Sequence, residues 1–422
     1  MLDRPGDPPK QARIYLCVFL FAIVVVLLFW QVVPFTENGE NTDYLVFYGP
    51  VARSLAAGKG LTQDGSRVAV RYPPGHPLLL AGVFKLADTF SLSSQTALSL
   101  FTLFCYGLSA VLIYALGRGI RGFKLGLAAA GVWITYPPLV WLTTEPSSEI
   151  PFLALFYLSL CFFLFPVQRQ SRAWHWYLLS GLCSGLATLI RPAGLAIGFG
   201  MALSIGMILR AQTLKLRVAL IALLALGNLI AIVPWQTFVY LKTGRIILVS
   251  TAMTPALRDG LRFAVNPKWY RRKISVPEDV RDLSRRIHAR AEELVTTRQV
   301  LSVVAEESRT SPMALLKLVA IKAARSWYAT DSGRRENVLL PLQAFYLALI
   351  AIGGYRAWRS GGTARSAAIA IGSVTICFWA MTIMVLSILR YMTPVIGLSF
   401  ALLPGIFAPS QTAKGNARPS GE

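Results

Sequence analysis

Asp43, Arg191 and Arg390 are the side chains of this sequence best placed to do chemistry, because an apolar chain would more easily leave each of them out. Asp43 lies about ten residues beyond the first apolar run and is followed by Tyr44, Phe47 and Tyr48. Its carboxylate can take a proton from a hydroxyl or orient it. The stretch "NTDY" also reads as a helix start, with Asn41 or Thr42 at the boundary and Asp43 a cap or a solvated loop acid. Arg191 and Arg390 are the basic residues of short turns whose counterparts carry none, and a guanidinium offers a planar fork that matches phosphate oxygens. Each arginine taken singly reads equally well as an interface anchor or as the partner of Glu145.

Glu145 precedes Pro146 at the carboxyl end of a helix, where the helix dipole disfavours an acid. A substrate hydroxyl or a cationic partner explains it better. Glu149 opens the next helix, where the dipole alone accounts for it. The stretch "VRYPPGHPLLLA", residues 70–81, supplies the remaining candidates. Pro73 and Pro74 fix the backbone and remove two amide donors, Gly75 permits a turn, and Pro77 can begin a helix. The result is a rigid elbow that could hold Arg71, Tyr72 and His76 at the membrane surface beneath Asp43, or a plain loop-to-helix connection.

Positioning these groups is the task of a very apolar chain. Its 422 residues are 55% hydrophobic and 15% charged, with apolar runs of spanning length. At a rise of about 1.5 Å per residue, spans are expected near 14–33, 96–116, 125–142, 149–166, 175–190, 193–209, 217–235, 338–356, 366–388 and 391–408, about ten in all. The fold class is all-α, a polytopic membrane bundle. The first run follows Arg4, Lys10 and Arg13 as a signal peptide would, but it is long and has no small-residue cleavage site, so it reads as a retained span.

The net charge is +22, and the basic residues lie mostly in short clusters between apolar runs; those of alternate connections, such as "GRGIRGFK" and "YRAWRSGGTAR", carry no acid, as positive-inside bias predicts, which favours membrane topology over nucleic acid binding. Seventeen of the 20 acids fall in the opposite connections. Both termini are then cytoplasmic, and two long segments, 34–95 and 236–337, lie outside and should contain helices. "PLLLAGVFKLADTF" suits an interfacial helix. The run "VPEDVRDLSRRIHARAEELVTTRQVL" places Val280, Leu283, Ile287, Ala291 and Leu294 at helical spacing. Ser311 and Pro312 mark the entrance of an amphipathic helix carrying Lys317, Lys322 and Arg325. Residues 1–408 read as one bundle and 409–422 as a disordered cytoplasmic tail. The five cysteines lie in apolar runs and the three histidines far apart, so no local metal cluster and no cofactor is expected, although a divalent metal stays open.

An outer acid after the first span, then "RYPPGHPLLLA", "TEPSSEIPF", "LIRPAGLAI" and "LRYMTPVIG", in that order, resemble the integral-membrane GT-C glycosyltransferases, in the branch of protein O-mannosyltransferases and lipid A aminoarabinose transferases. The resemblance covers about residues 40–405. It implies an inverting glycosyltransferase, hexosyl or pentosyl, that moves a sugar from a polyprenyl-phosphate donor to a lipid, glycan or protein hydroxyl on the extracytoplasmic face of a bacterial inner membrane. It maps the acceptor-side carboxylate onto Asp43, while Tyr44 stands where many relatives carry a second acid. Arg390, with Arg191 and Tyr391, would hold the donor phosphate, and Glu145, Tyr72, His76, Arg71 and Tyr44 would contact substrate. No glycine-rich phosphate loop suggests a nucleotide donor. The alternative is a transporter or flippase for a lipid-linked or anionic solute, since arginines in spans can line a pathway.

Overall fold

A computed structural model describes residues 8–39, 41–65, 67–169, 173–263 and 276–403. The helices follow in order as α1 (Pro8–Trp30), α2 (Gly49–Ala56), α3 (Gly75–Thr89), α4 (Ser94–Arg121), α5 (Phe123–Thr135), α6 (Pro137–Trp141), α7 (Glu149–Arg169), α8 (His175–Ile190) and α9 (Leu195–Ile208). They continue as α10 (Leu214–Thr243), α11 (Met253–Phe263), α12 (Glu278–Ala289), α13 (Thr297–Thr310), α14 (Pro312–Arg325), α15 (Glu336–Ser360), α16 (Gly362–Met384) and α17 (Leu389–Ser399). Among the described residues the one β contact is an isolated bridge between Thr62 and Val68. The tail at 409–422 lies outside the described residues.

Among the described residues each expected span overlaps an apolar helix, the last of them, 391–408, extending past residue 403, but only six helices are long and apolar enough to cross a membrane alone: α1, α4, α7, α10, α15 and α16. Four are shorter, and the breaks have local causes. The run expected at 125–142 stops at Thr135, because Pro137 follows Tyr136 and disfavours helical geometry there; the chain restarts as α6. Arg191 is extended between α8 and the turn Pro192–Gly194, again directly before a proline. Ile388 is extended before α17. These interruptions matter for function, since they place Glu149, Arg191 and Arg390 at helix ends.

The main core joins α1, α4, α5, α7, α8, α9, α16 and α17. Close approach of α8 and α10 depends on glycine: a Cβ at Gly181 would lie 2.0 Å from the Leu224 carbonyl oxygen. A second core packs Phe35, Tyr44, Phe47, Tyr48, Val51 and the buried face of α3 in the first outer segment. A third unites α11 to α14. The helical spacing expected from Val280 to Leu294 ends at Ala289, and the rest of the 276–301 segment starts a new helix, α13, at a capping box formed by Thr296 and Gln299. Val280, Leu283 and Ile287 line the buried face of α12 as the periodicity requires.

Candidate active site

The first outer segment is tied to the α6–α7 turn. Thr36 donates from its backbone to the Thr144 carbonyl (2.9 Å), and the Asn41 side chain donates to the Pro146 carbonyl (3.2 Å). Asn41 also accepts from the Tyr44 amide (3.2 Å), so the helix start at "NTDY" is capped by Asn41 and the Asp43 side chain makes no cap bond. Asp43 instead accepts a 2.8 Å hydrogen bond from the Tyr72 hydroxyl.

Tyr72 belongs to the prolyl elbow, whose position is set on two sides. Backbone amides of Thr251 and Ala252 donate to the carbonyls of Val70 (3.0 Å) and Arg71 (3.1 Å). On the other side Gly75 touches the end of α8 so closely that a Cβ there would be 2.6 Å from the Leu189 carbonyl oxygen, two residues before Arg191. The elbow thus joins Asp43 to the arginine turn. The Tyr72 ring lies 5.2 Å from Tyr48 and 5.1 Å from Phe47, and the Arg71 guanidinium sits 5.4 Å from the Tyr72 ring centre. Burial, and then the Asp43 carboxylate, raise the Tyr72 phenol well above its ordinary value, so it remains a proton donor to Asp43 at physiological pH.

Across from this pair, Glu149 organises both arginines. Its side chain is 1% exposed, accepts from Arg191 Nη1 at 2.8 Å, and is gripped in two-point fashion by Nε and Nη2 of Arg390. Arg191 Nη1 also donates to Ser148 Oγ at 2.8 Å, and its guanidinium lies 5.4 Å from the Tyr391 ring centre. The arginine side chains keep 17% and 31% exposure. Arg390 and Tyr391 are half-buried, and Asp331 is exposed. Tyr391 lies within electrostatic reach of Arg191, Arg390, Asp331 and Asp43, and Tyr48 within reach of Arg191, Asp43, Tyr72 and Glu149. The carboxylate with its tyrosine and the two guanidiniums therefore belong to one cluster, whose solvent-facing side is the candidate recess.

Asp43, Tyr72, Arg191, Arg390 and Tyr391 are brought together, with Arg71 beside Tyr72. His76 lies behind them, 1% exposed, its ring 4.8 Å from Tyr48 and neither nitrogen hydrogen-bonded among the described residues. Burial lowers its imidazole to about 3, so it is neutral at physiological pH. Tyr44 turns away from Asp43: it is buried against Gly49, near Arg53 and Glu37, and burial pushes its phenol up to about 12. Glu145 also leaves the group; its carboxylate fills the space where a side chain at Gly39 would stand. Of the alternatives open for the arginines, an ion pair is what forms, with Glu149 and not Glu145 as the partner of both. The turn at Pro146 sends Glu145 toward the first outer segment, while the first residue of α7 faces the bundle interior.

Sequence reasoning gave Glu149 a dipole role only. Two unexplained arginines were the signal that an anion had to stand between them. It also passed over Tyr48 and Asp331. Asp331 arrives from the α14–α15 turn, which is fixed by the Leu389 amide donating to Ala329 O (2.8 Å) and the Thr330 amide donating to Glu336 (3.1 Å). Burial raises the Asp331 pKa, Arg390 lowers it, and Glu149 and Asp43 raise it, for a net rise. Nothing local in "ATDSGRR" marks this acid. Among the described residues no three His, Cys, Asp or Glu side chains are grouped so as to hold a metal ion together.

The fold is the GT-C fold of membrane glycosyltransferases. Residues 71–238 match the family model described as dolichyl-phosphate-mannose-protein mannosyltransferase. The oligosaccharyltransferase AglB from Archaeoglobus fulgidus, solved with an inhibitory peptide and a dolichol-phosphate, superposes with a TM-score of 0.54 at 14% identity, over 93% of this chain and 50% of that one. The apo oligosaccharyltransferase of the same organism gives 0.54 at 15% identity, over 92% and 50%. ArnT from Cupriavidus metallidurans bound to undecaprenyl phosphate gives 0.44 at 15% identity, over 93% and 78%. At these identities the likeness is one of fold, and the chain spans about half the length of the archaeal chains it matches. No curated protein matches the sequence.

Proposed function

We propose that the chain is an inverting glycosyltransferase that moves a hexose or pentose from a polyprenyl-phosphate donor to a hydroxyl of a lipid, glycan or protein. The observation that carries this reading is the gathering, around Tyr48 and Tyr391, of Asp43 held by Tyr72 and the two guanidiniums held by Glu149. In the reaction the acceptor oxygen attacks the anomeric carbon while the bond to the donor phosphate breaks. Its proton passes to Asp43, and the lipid phosphate leaves with the bonding pair. A base and a leaving group on opposite sides of the sugar give inversion. Arg390 and Arg191 stabilise the charge that grows on the departing phosphate, and Glu149 keeps both guanidiniums from turning away. Tyr72 fixes one lone pair of Asp43 and leaves the others for the acceptor.

The apolar helices make the chain a multi-pass membrane protein. A lipid-borne donor suits a recess built on helix ends, and the related fold that holds a dolichol-phosphate supports a phosphorylated polyprenol here. The basic clusters favour cytoplasmic termini and an extracytoplasmic recess, in a bacterial inner membrane. The test supplies purified protein with undecaprenyl-phosphate-linked hexoses and pentoses and a set of hydroxyl acceptors. Turnover is expected in the wild type and a loss of about 10²- to 10⁴-fold in kcat for Asp43→Asn. Full activity in that variant removes Asp43 from the reaction.

A further inference from the structure

The buried face of α14 carries Ala314, Leu318, Lys322 and Arg325, so a lysine stands where helical period calls for an apolar residue. Arg325 is matched by Glu336 at 2.9 Å. Lys322, 3% exposed, has no carboxylate: its Nζ donates to the carbonyls of Gly260 (2.6 Å) and Val385 (3.0 Å). Val385 directly follows α16, so its carbonyl stands at the negative end of a helix, where a cation is favoured, and the Gly260 carbonyl belongs to α11. Gly260 and Val385 are themselves in contact, since a Cβ at Gly260 would be 2.5 Å from the Val385 oxygen. One ammonium therefore joins α11, α14 and the exit of α16.

That exit leads straight to the recess. Three further residues separate Val385 from α17, whose first two members are Leu389 and Arg390. The α14 helix and the turn after it follow the same route in parallel: Trp379 Nε1 donates to Ser326 Oγ (2.9 Å), and the Leu389 amide donates to Ala329 O (2.8 Å). Asp331 comes two residues later. For volume alone a methionine would fill the place of Lys322 without a desolvated charge. What the lysine adds is direction, two hydrogen bonds to two chain segments.

We propose that Lys322 is a positioning residue for the donor phosphate, fastening α11 and α14 to the α16–α17 turn and so fixing where Arg390 and Asp331 stand in the recess. This rests on the reading of Arg390 as a phosphate ligand. Burial lowers the amine to about 7, so it is mainly an ammonium below that pH and mainly an amine above it. The amine keeps N–H donors but loses their charge assistance. Among the described residues, several charged groups of the elements packed around it are engaged elsewhere: Asp259 of α11 with Arg258, Asp279 of α12 with Lys317 of α14, Glu307 of α13 with Arg286, and Arg365 of α16 with the Trp358 carbonyl.

The test measures binding of undecaprenyl phosphate to wild type, Lys322→Met and Arg390→Ala in detergent, by tryptophan fluorescence, at pH 6 and pH 9, alongside thermal unfolding. Lys322→Met is expected to bind about tenfold more weakly than wild type at pH 6, with the difference shrinking at pH 9 as the wild-type ammonium loses its proton. A folded Lys322→Met that binds like wild type at both pH values overturns the proposal, even if its unfolding temperature falls. If the methionine variant does not fold, Lys322→Gln, which keeps donors without charge, takes its place in the same comparison. Undiminished binding by Arg390→Ala removes the phosphate reading itself. Loss of binding there, with normal Lys322→Met, removes only this inference.

Discussion

Glu149 shows how one side chain can set the chemistry of two others. Two partly buried guanidiniums repel each other, and this carboxylate stands between them while leaving the trio with a net positive charge, which the proposed reading assigns to a phosphate. Glu149→Gln removes the anion and leaves both cations half-enclosed. Because the arginines keep some contact with solvent, the expected loss is about 2 kcal/mol of stability, below the range for a fully buried pair. Thermal unfolding in detergent should show it. Adding undecaprenyl phosphate should recover more stability in the variant than in wild type, since the ligand takes over the missing charge. An unchanged unfolding temperature would contradict the role given to Glu149.

At the level of helices, the site is made by interruptions. Arg191 extends from the end of α8, Arg390 from the start of α17, and Glu149 opens α7, so the recess inherits its precision from how tightly these helices are stacked. The α8–α10 contact is the most exacting, with Gly181 against the Leu224 carbonyl. Gly181→Ala must push α10 away from α8, at a cost of about 2 kcal/mol or more. The expected outcome is a lower unfolding temperature together with a higher donor KM, because the end of α8 moves with its helix. A variant equal to wild type in both would show that this contact does not reach the site. The extent of these elements was largely readable from apolar runs and helix signals. The splitting at Tyr136 and at Thr296 was not, because a preceding-proline effect and a capping box act within one or two residues, below the resolution of hydrophobic periodicity.

For the whole molecule, orientation is the decisive property. In the proposed reading the recess lies on the extracytoplasmic side, as the basic clusters of the short alternate connections favour. Thr42 is exposed beside Asp43, and Gln212 is exposed between α9 and α10, a connection expected on the opposite face. In intact cells, Thr42→Cys should react with a membrane-impermeant maleimide, whereas Gln212→Cys should react only after permeabilisation. The reverse pattern would put the recess in the cytosol and remove a lipid-linked donor on the outer leaflet from consideration.

The sequence by itself determined the all-α membrane class, the positions of the apolar helices and the candidate chemistry of Asp43, Arg191 and Arg390, because apolar runs, charge clusters and side-chain types are local properties. Only the tertiary structure decided which groups face each other. It gave Asp43 to Tyr72 from the elbow, both arginines to Glu149 and not to Glu145, and brought Asp331 in from the far end of the outer helices. The physical reason is that a helix end can present a side chain to either of two surroundings. Residues four apart on the two sides of Pro146 point into different ones, and sequence spacing alone carries no record of that choice.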